Sequence, residues 1–221
     1  MSTAAETVGL LEVRTEVLSL IAGLEAGEAL DDHSRALIEY GVRMCVSCLD
    51  VDGATDWAQR ALEVGATADQ LAEILLFVSG VGTHALIEGA RSLAGLMVSR
   101  GEPLPERDAE RQALWDGYRA GGSYWTAFDT DVPGFLDSLL RLYPDGFAAF
   151  MDFGAVPART AHVAPLVKEL IAVAADATPT HRYLPGLRAH LHNAIRLGVG
   201  RTVVLEVLDI AAGAPEHRGV R

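Results

Sequence analysis

The sequence predicts an all-α fold made of a duplicated helical repeat, its halves joined by an aromatic-rich helical connector. Three observations predict it. Apolar residues recur at helical spacing along most of the 221-residue chain. Eight identities then fall at a single offset of 133 positions without a gap, pairing Leu37 with Leu170, Ile38 with Ile171, Ala61 with Ala194, Gly65 with Gly198, Glu73 with Glu206, Leu75 with Leu208, Gly80 with Gly213 and His84 with His217. Paired Gly and Glu at fixed spacing are harder to obtain from composition than paired Ala or Leu, so an internal repeat is expected. Finally, ten of the aromatic residues lie between Trp115 and Phe153, outside both copies.

Taken in order, residues 1–30 read as an N-terminal helix, with Val8, Leu11, Val13, Val17, Leu18, Ile21 and Leu24 on one face from Glu6 to about Leu30. Residues 31–99 form the first repeat. Asp31 and Asp32 start a helix over Ser34–Met44, Cys45-Val46-Ser47-Cys48 closes it, and Asp50-Val51-Asp52-Gly53 turns into a helix over Ala54–Val64. A third helix spans Thr67–Val78. Gly80-Val81-Gly82 is expected to break it, and Thr83 to cap a long apolar helix through Met97.

Residues 100–160 are the connector, opening with the Arg100–Arg107 linker and carrying turn signals at Gly121-Gly122 and Asp145-Gly146. Its aromatics, among them Tyr124, Trp125 and Phe150, form either a cap walling a pocket or a satellite core. Residues 161–221 are the second repeat, which ends early. Pro165–Ala177 is a helix with Pro in its first turn, a Pro185-Gly186 turn precedes a helix ending near Gly198, and a third runs from Arg201 to about Ala211. The tail PEHRGVR is expected to be exposed or given to a neighbour.

Half of the residues are hydrophobic, enough for a large core, and the net charge is −12. That charge argues against nucleic acid or an anionic membrane as partner, since phosphate contacts need clustered Lys and Arg. No apolar run of about 18 residues stands out, and MSTAAETVGL lacks a basic region and apolar core, so a cytoplasmic protein is expected. In such a compartment Cys45 and Cys48 read as thiols.

The pattern of Lys168-Glu169-Leu170-Ile171, Thr180-His181-Arg182-Tyr183, Pro185-Gly186-Leu187-Arg188-Ala189-His190, Ala194 to Gly198 and Glu206-Val207-Leu208 resembles the carboxymuconolactone decarboxylase and alkylhydroperoxidase D-like superfamily. The first copy supplies Leu37-Ile38, Cys45-Val46-Ser47-Cys48, Ala61 to Thr67 and Glu73-Ile74-Leu75, so the resemblance is to the tandem two-repeat branch. It implies an all-helical fold of the alkylhydroperoxidase D-like type, a homo-oligomer (dimer or trimer), and a pocket faced by Glu169 and a following His. It also puts His181 where peroxidatic members carry their first Cys, twelve residues after the Glu. The first copy departs from the peroxidatic pattern: Ala36 matches Glu169, and Asp52 stands where a His would follow the second Cys.

Glu169, His181, Tyr183, Arg188, His190 and His192 are the candidate site. Imidazole in place of thiol removes a nucleophile and leaves acid and base, which points to cofactor-free proton transfer on a small unsaturated carbonyl or carboxylic acid: decarboxylation, isomerisation or cyclisation. Glu169, His181, His190 and Tyr183 are the catalytic candidates, and Arg188, His192, Trp125 and Phe150 the substrate-binding ones. His190 and His192 lie about 200° apart around a helix, so both cannot face one site, nor hold one metal. No metal site and no phosphate-binding or dinucleotide motif is seen. Two alternatives stand beside this reading: a thiol peroxide reductase using Cys45 and Cys48, in which Asp50 and Asp52 work against an activated thiolate, and a non-catalytic scaffold.

Overall fold

In a computed structural model describing residues 7–120 and 123–220, all regular structure among the described residues is helical. The helices are α1 (Leu10–Leu20), α2 (Asp32–Met44), α3 (Val51–Glu63), α4 (Ala68–Ser79), α5 (His84–Ser99), α6 (Ala109–Arg119), α7 (Ser123–Asp131), α8 (Phe135–Leu142), α9 (Pro144–Arg159), α10 (Pro165–Ala177), α11 (Leu184–Arg196) and α12 (Arg201–Ala212). The chain divides into two compact units, Met1–Val81 with His162–Arg221, and Gly82–Ala161.

The first unit is built from two trios, α2–α4 and α10–α12, whose six boundaries coincide at the same offset of 133 residues. Their turns agree as well. Leu49 and Arg182 both take positive φ (+41° and +48°), as do Gly65 and Gly198. The Asp50 amide donates to the Arg43 carbonyl and the Tyr183 amide to the Asp176 carbonyl, each at 2.9 Å. Leu37, Ile38, Leu170, Ile171, Leu187 and Leu191 are buried in one core that takes residues from both trios and from α1.

Two glutamates bind the trios to each other. Glu73 on α4 accepts the His162 and Val163 amides (2.8 and 2.9 Å) and pairs with Lys168 on α10. Glu206 on α12 accepts the Leu30 amide and the Arg35 guanidinium, both at 2.9 Å. Leu30, Arg35 and Glu206 are the offset counterparts of Val163, Lys168 and Glu73, so each trio's third helix grips the start of the other's first. The grips differ in setting: the Glu73 and Lys168 side chains are 4% and 8% exposed, those of Glu206 and Arg35 25% and 36%.

The second unit has its own core, in which Phe135, Leu136, Leu140, Phe147 and Met151 are buried. Trp125 and Phe150 belong to it, edge to face at 5.9 Å, with Phe135 a further 4.9 Å from Phe150. Arg107 stacks on Trp115 at 3.9 Å.

Several elements differ from the sequence expectation. The N-terminal helix stops at Leu20 instead of near Leu30, because the segment after it serves α12. The Glu25 and Ala26 carbonyls accept the Arg201 and Thr202 amides (2.9 Å each), first-turn donors of α12 without a partner inside the helix. Pro185 and Gly186 lie inside the first turn of α11, where the fixed φ of Pro is already helical. Pro144 likewise places Asp145-Gly146 within α9. Gly80–Thr83 is a 3₁₀ turn instead of a break, and Thr83, in helical conformation, makes no side-chain cap. Helix α5, expected in the first repeat, packs on α8 in the connector unit. By length and composition Ala68–Ser99 is apolar enough to cross a membrane, with an 18-residue window of mean hydropathy 1.5, which a search for unbroken apolar runs overlooks. Glu6, the Gly121-Gly122 turn and the Tyr124 side chain lie outside the described residues.

Candidate active site

Helix α10 is nearly all buried, from Val167 to Ala177, yet it carries two carboxylates, Glu169 and Asp176. Seven residues is close to two helical turns, so both point along one stripe of α10, about 10 Å apart along the axis. Helix α11 and the turn before it run back along that stripe.

Glu169 is held at both oxygens. Oε2 lies 2.7 Å from His190 Nδ1, and Oε1 accepts from Asn193 Nδ2 at 3.2 Å. Arg196 donates to the Asn193 carbonyl oxygen, which turns the amide nitrogen toward Glu169. A carboxylate facing Nδ1 favours the proton there and puts the ring's lone pair on Nε2, the arrangement of a general base. The His190 side chain is 22% exposed and that of Glu169 19%.

Asp176, 1% exposed, faces His181 Nε2 at 3.4 Å. Its carboxylate lies against the first turn of α11 so closely that a β-carbon at position 186 would stand 2.3 Å from Oδ2, and Gly186 is the residue that admits it. The His181 ring lies beside Tyr183 at 5.7 Å.

The sequence candidates are therefore sorted by geometry. Glu169 takes His190, whereas His181 Nε2 stands at ion-pair distance, 3.4 Å, from Asp176. Arg188 donates from Nε to Glu16 of α1 at 2.6 Å, and that bond holds the Glu16 carboxyl below its ordinary range against the opposing effect of burial. The charge of Arg188 thus already has a carboxylate partner. His192 is half-buried on α11, two residues from His190. Trp125 and Phe150 lie in the core of the second unit. Asn193 and Asp176 are not among the sequence candidates. The signal for each is positional: Asp176 is two turns from Glu169, and Asn193 is three residues from His190 on the same face of α11.

Cys45 and Cys48 are reduced and buried. Burial pushes both thiols above their ordinary range. A hydrogen bond from Ser47 Oγ opposes this at Cys45 (3.3 Å), with Asp176 adding to the rise; at Cys48, Ser47 and Arg43 oppose it and Asp50 adds to it. Nothing here activates a thiolate at neutral pH. Thr178 Oγ1 donates to Ser47 Oγ (3.2 Å) and Thr180 Oγ1 to the Ser47 carbonyl (2.7 Å), locking the thiol turn against the turn that holds His181. A cavity of about 620 Å³ adjoins the thiol turn, lined by Cys48, Asp50, Asp52 and the tail residues Pro215, Glu216 and Arg218 among others. Residues 216–220 of the tail are exposed, and several of them wall this cavity.

No protein-family model and no curated protein matches the chain. A crystal structure does: a protein of Burkholderia xenovorans LB400, provisionally described as a gamma-carboxymuconolactone decarboxylase subunit, is 29% identical over 93% of this chain and 91% of that one, with a TM-score of 0.70. The likeness in sequence and fold supports the carboxymuconolactone decarboxylase and alkylhydroperoxidase D-like superfamily for this chain. Its all-α architecture is that of the superfamily. Within this carboxymuconolactone decarboxylase-like chain, the Glu169–His190–Asn193 cluster belongs to the second trio. The counterparts of Glu169, His190 and Asn193 in the first trio are Ala36, Trp57 and Arg60.

Proposed function

We propose that this protein is a cofactor-free acid–base enzyme acting on a small unsaturated carbonyl or carboxylic acid, with Glu169 and His190 as its proton-transfer pair. The observation that carries this reading is the 2.7 Å contact between Glu169 and His190 Nδ1, with Asn193 fixing the other carboxylate oxygen. The description of the Burkholderia protein makes γ-carboxymuconolactone the first compound to assay.

In a decarboxylation the bond from carbon to the departing carboxylate breaks, CO₂ leaves, and the electron pair passes through the conjugated system to a carbonyl oxygen. The protonated His190 then delivers its Nε2 proton to carbon, and water restores it; Glu169 stabilises the imidazolium and holds the ring's orientation. Isomerisation uses the same base and acid without loss of CO₂. Glu169→Gln and His190→Gln are each expected to lower turnover by about 10²–10⁴-fold, with Cys45→Ala close to wild type. Undiminished turnover in Glu169→Gln sinks the reading.

A further inference from the structure

One chain of contacts at the candidate site reaches past the proton-transfer pair to the surface. His190, Asn193 and Arg196 follow one another at three-residue steps on α11, so each side chain neighbours the next, and exposure rises from half-buried His190 and Asn193 to exposed Arg196. Glu169 meets the inner two, with Oε2 at His190 Nδ1 (2.7 Å) and Oε1 at Asn193 Nδ2 (3.2 Å), and the Arg196 guanidinium donates to Asn193 Oδ1. The terminal torsions of Glu and Asn are broad, so neither group holds its own plane. Here each is fixed by the group outside it. Asn193 sets the carboxylate plane of Glu169, and Arg196 sets which end of the amide faces inward.

The residue type at position 193 separates this chain of contacts from a surface pair. At the 133-residue offset the first trio has Arg60 and Glu63, an exposed ion pair at 3.6 Å. A carboxylate at position 193 would likewise pair with Arg196, and more strongly than an amide does, but it would have no proton to give Glu169. An amide accepts from the cation at one end and donates to the carboxylate at the other.

Resting on the acid–base reading above, we propose that Asn193 and Arg196 are positioning residues for Glu169, a relay that holds the carboxylate toward His190 and couples the proton-transfer pair to an exposed cation. Neither touches the reacting atoms. Their effect runs through the His190 ring, because the hydrogen bond at Nδ1 sets where the ring proton sits and how the ring is turned.

The test uses the full chain labelled with ¹⁵N-histidine, without ligand, the His190 ring signals being assigned with His190→Gln. Asn193→Asp keeps the shape and an acceptor for Arg196 while deleting the donor to Glu169. It is expected to move the His190 ring signals from their wild-type pattern and, with γ-carboxymuconolactone, to lower kcat by about tenfold or more with little change in KM. Arg196→Leu is expected to move both readouts the same way by less, and Arg196→Lys, which retains a donor to the amide carbonyl, to recover most of that loss. A merely structural pair gives another result: Asn193→Asp exchanges a neutral contact for an ion pair and leaves kcat and the His190 signals where they were, which overturns the proposal. Wild-type behaviour of Arg196→Leu beside an affected Asn193→Asp overturns the coupling to the surface cation. Loss in Glu169→Gln with none in Asn193→Asp rejects the relay and leaves the acid–base reading intact. Full turnover in Glu169→Gln, with His190 signals still moved by Asn193→Asp, rejects that reading and leaves the relay in place.

Discussion

The two trios have the same helix lengths and the same turns, but they use the shared scaffold differently. Where the second places Glu169, Asp176 and His190, the first has Ala36, Arg43 and Trp57. Arg43 there pairs with Glu39 and lies 3.7 Å from Asp50 and 5.6 Å from the centre of the Trp57 ring. The position that in one trio carries an imidazole carries in the other an indole, beside a cation paired with carboxylates. Backbone repetition fixes where side chains stand; a few substitutions decide whether those places bind protons or fill volume.

The predictions bear on that contrast. The largest effect is expected on activity, and in one trio only: Glu169→Gln and His190→Gln lose about 10²–10⁴-fold, whereas Ala36→Ser and Trp57→Phe in the first trio leave turnover within about threefold. Steady-state kinetics on γ-carboxymuconolactone reads both, and equal losses would end the distinction.

Stability separates the two grips next. Glu73→Ala takes a carboxylate from buried Lys168 and from two backbone amides, and is expected to cost about 3–5 kcal/mol. Glu206→Ala breaks the corresponding bonds at a partly exposed place and is expected to cost about 1 kcal/mol. Urea denaturation midpoints measure the difference; similar values would mean that burial does not set it.

A smaller effect compares glycines at matched positions. Gly186→Ala drives a β-carbon against the buried Asp176 carboxylate and is expected to destabilise by about 1–3 kcal/mol. Gly53→Ala meets the Asp50 carboxylate, a half-buried cap that can swing away, and costs less. Thermal melts of the two variants give the order.

The smallest effect concerns Arg188. Its bond lowers the Glu16 carboxyl below its unfolded value, so the associated stability is present above the ordinary glutamate range and fades as pH falls through the lowered one. Because the pair is well exposed, Arg188→Ala is expected to cost under about 1 kcal/mol at neutral pH and nothing in acid. A cost that persists in acid would assign Arg188 a packing role instead.

Much of the fold is legible in the sequence because helical periodicity and the offset are local or one-dimensional signals. Pro165–Ala177 is read from end to end, since Pro165 and Pro179 bracket it. Boundaries set by distant groups are not legible: α1 ends where it does because α12 needs carbonyls from residues 25 and 26. The site is legible as a neighbourhood and not as pairings. Three histidines and Glu169 announce it, but which ring meets which carboxylate depends on how α11 lies against α10, and Asp176 reads as an ordinary helix residue until Gly186 is seen making room for it.

The reciprocal glutamate grips carry a consequence for biosynthesis. Leu30 and Arg35 wait for Glu206, which leaves the ribosome more than 170 residues later. The earliest helices therefore emerge with a donor amide and a guanidinium still unmet, and their final arrangement is postponed until translation is almost over.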